Sequence, residues 1–166
     1  VGIVNVVGSS IAKLVDSVIY TYAGPEIAVA TTKGYTTQVA VLYLFAIYLA
    51  EKIGKISSEE NEKLTSEILK IPVNIQRAID LNPQIPELAK KYHDNSSLFF
   101  IGRNVDYAVS LEASLKMKEI SYIHSEAYAA GELKHGTISL ITDGMPVIAV
   151  ASQHDLVEKT ISNIKE

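Results

Sequence analysis

Cysteine is missing from this chain of 166 residues, and that absence removes a disulfide framework, a thiolate metal site and a cysteine nucleophile together. Basic runs are missing too. With 15 Lys and Arg against 19 Asp and Glu, a formal net charge of −4 and a pI near 5.6, the chain carries no footprint for nucleic acid, and no such partner is expected. The apolar stretch Val39 to Ala50 falls short of the roughly 20 residues a bilayer requires, so no membrane partner is expected. The histidines His93, His124, His135 and His154 lack the carboxylate company of a metal site, and neither a metal nor another cofactor is expected. The opening VGIVNVV has no charged leader. It reads as a strand rather than a signal peptide, in an excerpt of a longer cytoplasmic protein.

What is present suits a packed interior: 48% of residues are hydrophobic and 20% charged, enough for one ordinary domain or parts of two. Val1 to Gly8 reads as a buried strand, with Ser9 or Ser10 capping a short helix, and Ser17 to Tyr22 as a second strand closed by Ala23-Gly24-Pro25. Val39 to Ala50 is apolar nearly all round and predicts a helix buried in a core or an interface. Ser57 to Glu60 is a capping-box pattern opening another helix, and Pro72 suits the start of the next. The strandless region 57–95 reads as a helical connector. Then SLFFIG, Ser97 to Gly102, predicts a strand, 104–122 a helix, Met145 to Ala151 a strand, and a helix follows from about Asp155. The fold class expected is α/β, with parallel sheets flanked by helices.

Two stretches concentrate chemistry. In KMKEISYIHSEAYAAGELKHG, Lys116 to Gly136, helical spacing sets Glu112, Lys116 and Glu119 on one stripe. That stripe is either a solvated ion-pair row or a working carboxylate–lysine set. EAYAAGELKHG reads as a turn of small residues that lets a backbone approach a ligand, leaving His135 free to titrate near neutrality. His124 reads as a satisfied structural histidine, and His93 and His154 as exposed. In the second stretch, PEIAVATTKGYTTQ, hydroxyls at Thr31, Thr32, Thr36 and Thr37 either cap the following helix or bind a sugar or phosphate.

The motifs NVVGSS, AGPEI, VATTKGYTTQ, KEISYIH, EAYAAGELKHG and MPVIAVA occur in the order found in the glutamine–fructose-6-phosphate aminotransferase family, and the chain resembles its isomerase part over nearly its whole length. The resemblance implies two sugar-isomerase (SIS) domains of flavodoxin-like architecture. Residues 1–56 would be the closing part of the first and 96–166 the opening part of the second, joined by the connector. It implies conversion of fructose 6-phosphate to glucosamine 6-phosphate with ammonia from glutamine. The family's proton-transfer glutamate falls on Glu119, its neighbouring lysine on Lys116 and its ring-opening histidine on His135, while its substrate-contacting stretch falls on Val29, Ala30 and Thr31. In the family that histidine crosses a dimer interface, so a homodimer or swapped oligomer is implied. The family commonly has Ser at Thr31 and Pro at Thr137. Its glutaminase domain opens on a cysteine and is not expected in this chain, and its phosphate-binding loop and Schiff-base lysine fall on no residue here. The chain alone is therefore expected to be inactive. A SIS-type sugar-phosphate-binding regulatory module is the alternative, and an assembly role for the apolar helix is a third reading.

Overall fold

A computed structural model describes residues 1–166, the side chain of Asn82 excepted, and it divides into the units Val1–Ile85 and Pro86–Glu166. In the first unit the apolar opening forms β1 (Gly2–Val4), which pairs in parallel with β2 (Val18–Tyr20). Between them lies α1 (Ser10–Leu14), and the Ser9 hydroxyl accepts the backbone N–H of Ala12 at 3.3 Å, as a capping serine should. Helices follow without further strands: α2 (Lys33–Lys52), α3 (Ser58–Leu69) and α4 (Ile71–Asp80). The capping box at the start of α3 is complete. Glu60 N–H donates to the Ser57 hydroxyl at 3.2 Å, and Ser57 N–H donates back to the Glu60 carboxylate at 2.8 Å. Pro72 occupies the first turn of α4, where a missing N–H costs nothing.

The long apolar helix forms, but it is not buried within the chain. Gly34 is the one buried residue of α2, and Leu42, Tyr43, Leu44, Tyr48 and Leu49 all face out. Beside it an open apolar groove is lined by Ile19, Val41, Leu44, Phe45 and Tyr48. Of the two expectations, core or interface, the first is corrected: within this chain the helix is uncovered, because two strands of three residues offer too little sheet to bury a 20-residue helix.

The second unit begins within α5 (Ile85–Tyr92), after its first residue, and is organised by β3 (Ser97–Gly102). The chain then forms α6 (Val105–Ser121), β4 (His124–Ala129), β5 (Val147–Ala149) and α7 (Val157–Ile164). All three strands are parallel, in the order β4-β3-β5, with Gly102 opposite Ala129 and Ile101 opposite Ala149. The core sits where Ile101 meets Ala130 and Leu133, with Tyr128, Ile138 and Ala149 packed around them. Strand β4 corrects the expectation of a turn for this stretch: residues 124–129 extend, and only beyond them does the chain turn. The region 57–95 contains helices and turns only, and the division between the units falls inside it.

The β3–α6 junction is tight. A Cβ on Gly102 would lie 2.5 Å from the backbone of Asp106, so helix and strand touch there without a side chain between them. The chain makes this turn through Asn104 at φ 49° and ψ −121°, backbone that glycine tolerates and other residues resist. Asn104 makes no side-chain cap hydrogen bond to repay the strain. Asn104→Gly is expected to raise stability by about 1 kcal/mol, read as a higher urea midpoint at unchanged slope.

Candidate functional site

Helix α6 brings the predicted carboxylate–lysine set together. Lys116 Nζ donates to Glu119 in a short ion-paired hydrogen bond and lies 3.6 Å from Glu112 Oε1. The side chains of Lys116, Glu112 and Glu119 are 17%, 23% and 26% exposed. That partial burial separates them from a solvated surface row, whose ion pairs hold little. The Glu119 hydrogen bond, opposed in part by burial and helped by the charges of both glutamates, holds the Lys116 ammonium above its ordinary pKa. Lys116 is thus a fixed cation and its proton is not available near neutrality. Glu112 and Glu119 both pair with that cation, and a carboxylate so held is a group that can take and return a proton.

His135 lies at the end of a 3₁₀ turn, Leu133–His135, that follows β4. Buried Leu133 anchors this turn in the core, while Glu132 C=O accepts the His135 N–H at 3.0 Å. The imidazole is exposed and has no side-chain hydrogen bond among the described residues. It does not approach Lys116 and Glu119 within the unit. Helix α6 runs from the carboxyl end of β3 back to the amino end of β4, so its last turns lie at the amino end of the sheet and His135 at the carboxyl end. Strand and helix rises put them roughly 15 Å apart.

Val29, Ala30 and Thr31 lie in the first unit, on the loop between β2 and α2. Two side chains tie that loop. Asn5, directly after β1, accepts from Ala23 N–H at 2.9 Å and Thr21 O–H at 3.2 Å and donates to Gly24 C=O at 2.8 Å. Lys33 Nζ donates to Pro25 C=O. The loop therefore stands at the carboxyl ends of β1 and β2, where α/β proteins bind ligands. Val29 is 90% exposed. The threonine hydroxyls do not cap α2: Thr32 makes no capping bond, and Thr36 and Thr37 donate to carbonyls of the helix's own first turn. Thr31 reaches only Val29 C=O, at 3.4 Å.

His124, expected as a satisfied structural histidine, has a partner but is exposed on β4. It lies 3.0 Å from Glu126 Oε1, and Tyr128 O–H donates to the other oxygen of the same carboxylate. The Tyr128 bond, followed by the His124 bond, holds Glu126 below the usual carboxylate range, and the same bond raises the phenol. Asp106 and Arg103 went unread in the sequence; the signal for Asp106 was an acid in the first turn of a helix. His93 and His154 are exposed, as expected. Among the described residues no group of three or more His, Asp or Glu side chains is placed to hold a metal ion, and no helix is long and apolar enough to cross a membrane.

If the Glu119 bond is what lifts Lys116, then Glu119→Gln brings the lysine pKa down toward its ordinary value. A ¹³Cε titration of Lys116 in the two proteins measures this, and equal midpoints would contradict it.

The SIS domain model matches residues 91–166. The chain is 53% identical over 166 residues to the glutamine–fructose-6-phosphate aminotransferase (isomerizing) of Clostridium tetani. It is 55% identical over 164 residues to that of Symbiobacterium thermophilum. These alignments cover 100% and 99% of this chain and 27% of each relative, so the chain spans about a quarter of their length. The C-terminal domain of glucosamine-fructose-6-phosphate aminotransferase from Francisella tularensis superposes with a TM-score of 0.94 at 38% identity, over 97% of this chain and 45% of that one. In sequence and fold together the chain is similar to a stretch of about a quarter of the length of glutamine–fructose-6-phosphate aminotransferases.

Proposed function

We propose that the chain is part of the isomerase region of such an enzyme and takes part in converting fructose 6-phosphate and glutamine-derived ammonia to glucosamine 6-phosphate. The observation that carries this reading is the partly buried Lys116–Glu119 pair. Ketose-to-aldose conversion removes a proton from C1 of the open-chain sugar and delivers one to C2, and a single carboxylate can do both. Glu119 is that carboxylate, and Lys116 fixes its position and neutralises its surroundings. His135 acts on the ring oxygen and anomeric hydroxyl to open the ring, which suits an exposed imidazole on a rigid turn. Val29, Ala30 and Thr31 contact the substrate from the first unit, with residues 1–56 and 96–166 as parts of two SIS domains and 57–95 as the connector. The setting is cytoplasmic.

The roughly 15 Å between His135 and Glu119 along one sheet supports a second copy as the source of one of them, hence a homodimer or swapped oligomer. The uncovered apolar side of α2 supports association as well. In size-exclusion chromatography the chain is expected to elute above its monomer size, and Phe45→Glu, which places a charge in the groove beside α2, to shift it toward monomer. Unchanged elution would remove α2 from the interface.

The family's phosphate-binding loop and Schiff-base lysine correspond to no residue of this chain, so the chain alone is expected to form no glucosamine 6-phosphate. Calorimetry with fructose 6-phosphate and glucosamine 6-phosphate, beside His135→Ala, tests the substrate. Weak binding lost in the variant supports the reading, and detectable turnover by the purified chain contradicts the expected inactivity.

A further inference from the structure

Asp143 is the one aspartate of the chain followed by glycine, and no asparagine precedes a glycine. At an Asp-Gly bond the glycine nitrogen can close on the aspartate side-chain carbon, because no Cβ crowds the attacking atom and the glycine backbone turns freely. The fold leaves this bond open. Both residues are exposed, in the turn that leads to β5. Met145 N–H donates to Thr142 C=O at 3.0 Å and Gly144 stands at φ 82°, the pattern of a type II turn with Asp143 and Gly144 at its centre. The Gly144 N–H has no acceptor among the described residues. Apart from its chain neighbours, no heavy atom lies within 4 Å of where a Cβ on Gly144 would stand, so nothing crowds a ring formed there. Asp106 is the opposite case: it is 1% exposed, lies within a helix, precedes Tyr107 and has its carboxylate taken by Ser152.

We propose that the Asp143–Gly144 bond is a site of spontaneous modification, at which the folded chain converts to isoaspartate. The Gly144 nitrogen bonds to Asp143 Cγ, and its hydrogen leaves with the carboxyl hydroxyl as water. A cyclic succinimide results. Water then adds at the main-chain carbonyl of Asp143 and breaks that carbon's bond to the Gly144 nitrogen, so the main chain runs through the side chain and the former carbonyl carbon becomes a free carboxylate. One water leaves and one returns, and no oxidant, reductant or group donor takes part. The turn so altered lies between fastened points: Asn95 Nδ2 donates to Gly144 C=O at 3.1 Å, and Phe99 N–H donates to Pro146 C=O at 3.0 Å. An extra methylene in the main chain ahead of both opens the closure between Thr142 and Met145, and β5, a strand of three residues, loses the turn that delivers it to β3. The new carboxylate is a group that a protein carboxyl methyltransferase esterifies from S-adenosylmethionine, which gives the class of enzyme this form of the chain would meet.

The whole chain is incubated at neutral pH and physiological temperature beside a peptide of sequence ITDGMPV, until half of the peptide has isomerised. Digestion and electron-transfer fragmentation, which cuts isoaspartate at its Cα–Cβ bond, then locate the product. Isoaspartate is expected at position 143 of the folded chain, with no comparable amount at another aspartate, and a protein carboxyl methyltransferase is expected to label the aged chain there. Asp143→Glu, whose longer side chain disfavours the ring, is expected to lose both product and label while keeping the melting curve of the fresh wild type. Should that variant melt differently, Asp143→Ser, which has no carboxyl, carries the same comparison. A folded chain unmodified at position 143 when the peptide is half converted overturns the proposal, as does isoaspartate spread over several aspartates or a signal that survives the substitution. None of these results depends on whether fructose 6-phosphate binds.

Discussion

Strand β3 has no exposed side, and the second unit follows from that constraint. Leu98, Phe99, Phe100, Ile101 and Gly102 are buried in unbroken succession. A strand apolar on both faces must be covered on both and paired on both edges, which only a parallel sheet with crossover helices does readily. Each buried Leu, Ile or Phe of this run contributes about 1.5–3 kcal/mol. Pairing on both edges calls for β4 and β5, and the return from the carboxyl end of β3 to the amino end of β4 calls for α6. Gly102 then sets how closely the helix lies. With no side chain between strand and helix, α6 starts against the strand's end, and the position of every later residue on it is fixed by the helical rise.

That close approach also decides which residues of α6 face the sheet, and the outcome runs against its hydrophobic pattern. Asp106, Ser110 and Ser114, four apart, form the buried stripe, while Val109, Leu111, Leu115 and Ile120 face out. Small side chains suit a short distance, and each polar atom has a partner. Ser110 donates to Asp106 C=O at 2.7 Å, and Ser114 shares a 2.7 Å hydroxyl contact with Ser125 of β4. Among the described residues no buried side-chain polar atom is left unpaired. Such a stripe holds only while every bond is made, so it specifies the packing of helix on strand more sharply than an apolar stripe would.

The legible parts of the sequence were those in which one local rule acts alone. The apolar run of β3, the Ser9 cap, the Ser57–Glu60 box and Pro72 each declare themselves within a few residues, and the structure matches them. Strand β4 did not, because HSEAYA lacks the β-branched run of an interior strand. As an edge strand it carries His124, Glu126 and Tyr128 in mutual contact, and it extends because β3 supplies its ladder. The exposure of α2 was illegible for the opposite reason. Its composition states that it wants cover, while cover depends on what packs against it. At the candidate site, Lys116 and Glu119 were legible because i to i+3 spacing is geometric. Asp106 and Asn5 were not, since their partners lie 46 and up to 19 residues away.

The separation of Glu119 from His135 is therefore built into the topology. Both belong to one βαβ unit, yet one comes late in the returning helix and the other after the forward strand, and six residues of β4 lie between those levels. No rotamer change spans that length, and unwinding the turn at His135 would expose Leu133 and with it the core around Ile101. Within a single unit the carboxylate–lysine pair and the imidazole thus stand roughly 15 Å apart by strand and helix rise, too far for both to meet the same sugar carbons. If the two act on one substrate, they do so between copies, and the rigidity that keeps them apart within a chain is then what fixes their distance across the pair of chains. The outward Val109, Leu111, Leu115 and Ile120 lie on the same helix as the carboxylate–lysine pair. Covering that apolar surface would also close water away from the pair, so assembly and proton transfer would draw on one helix surface.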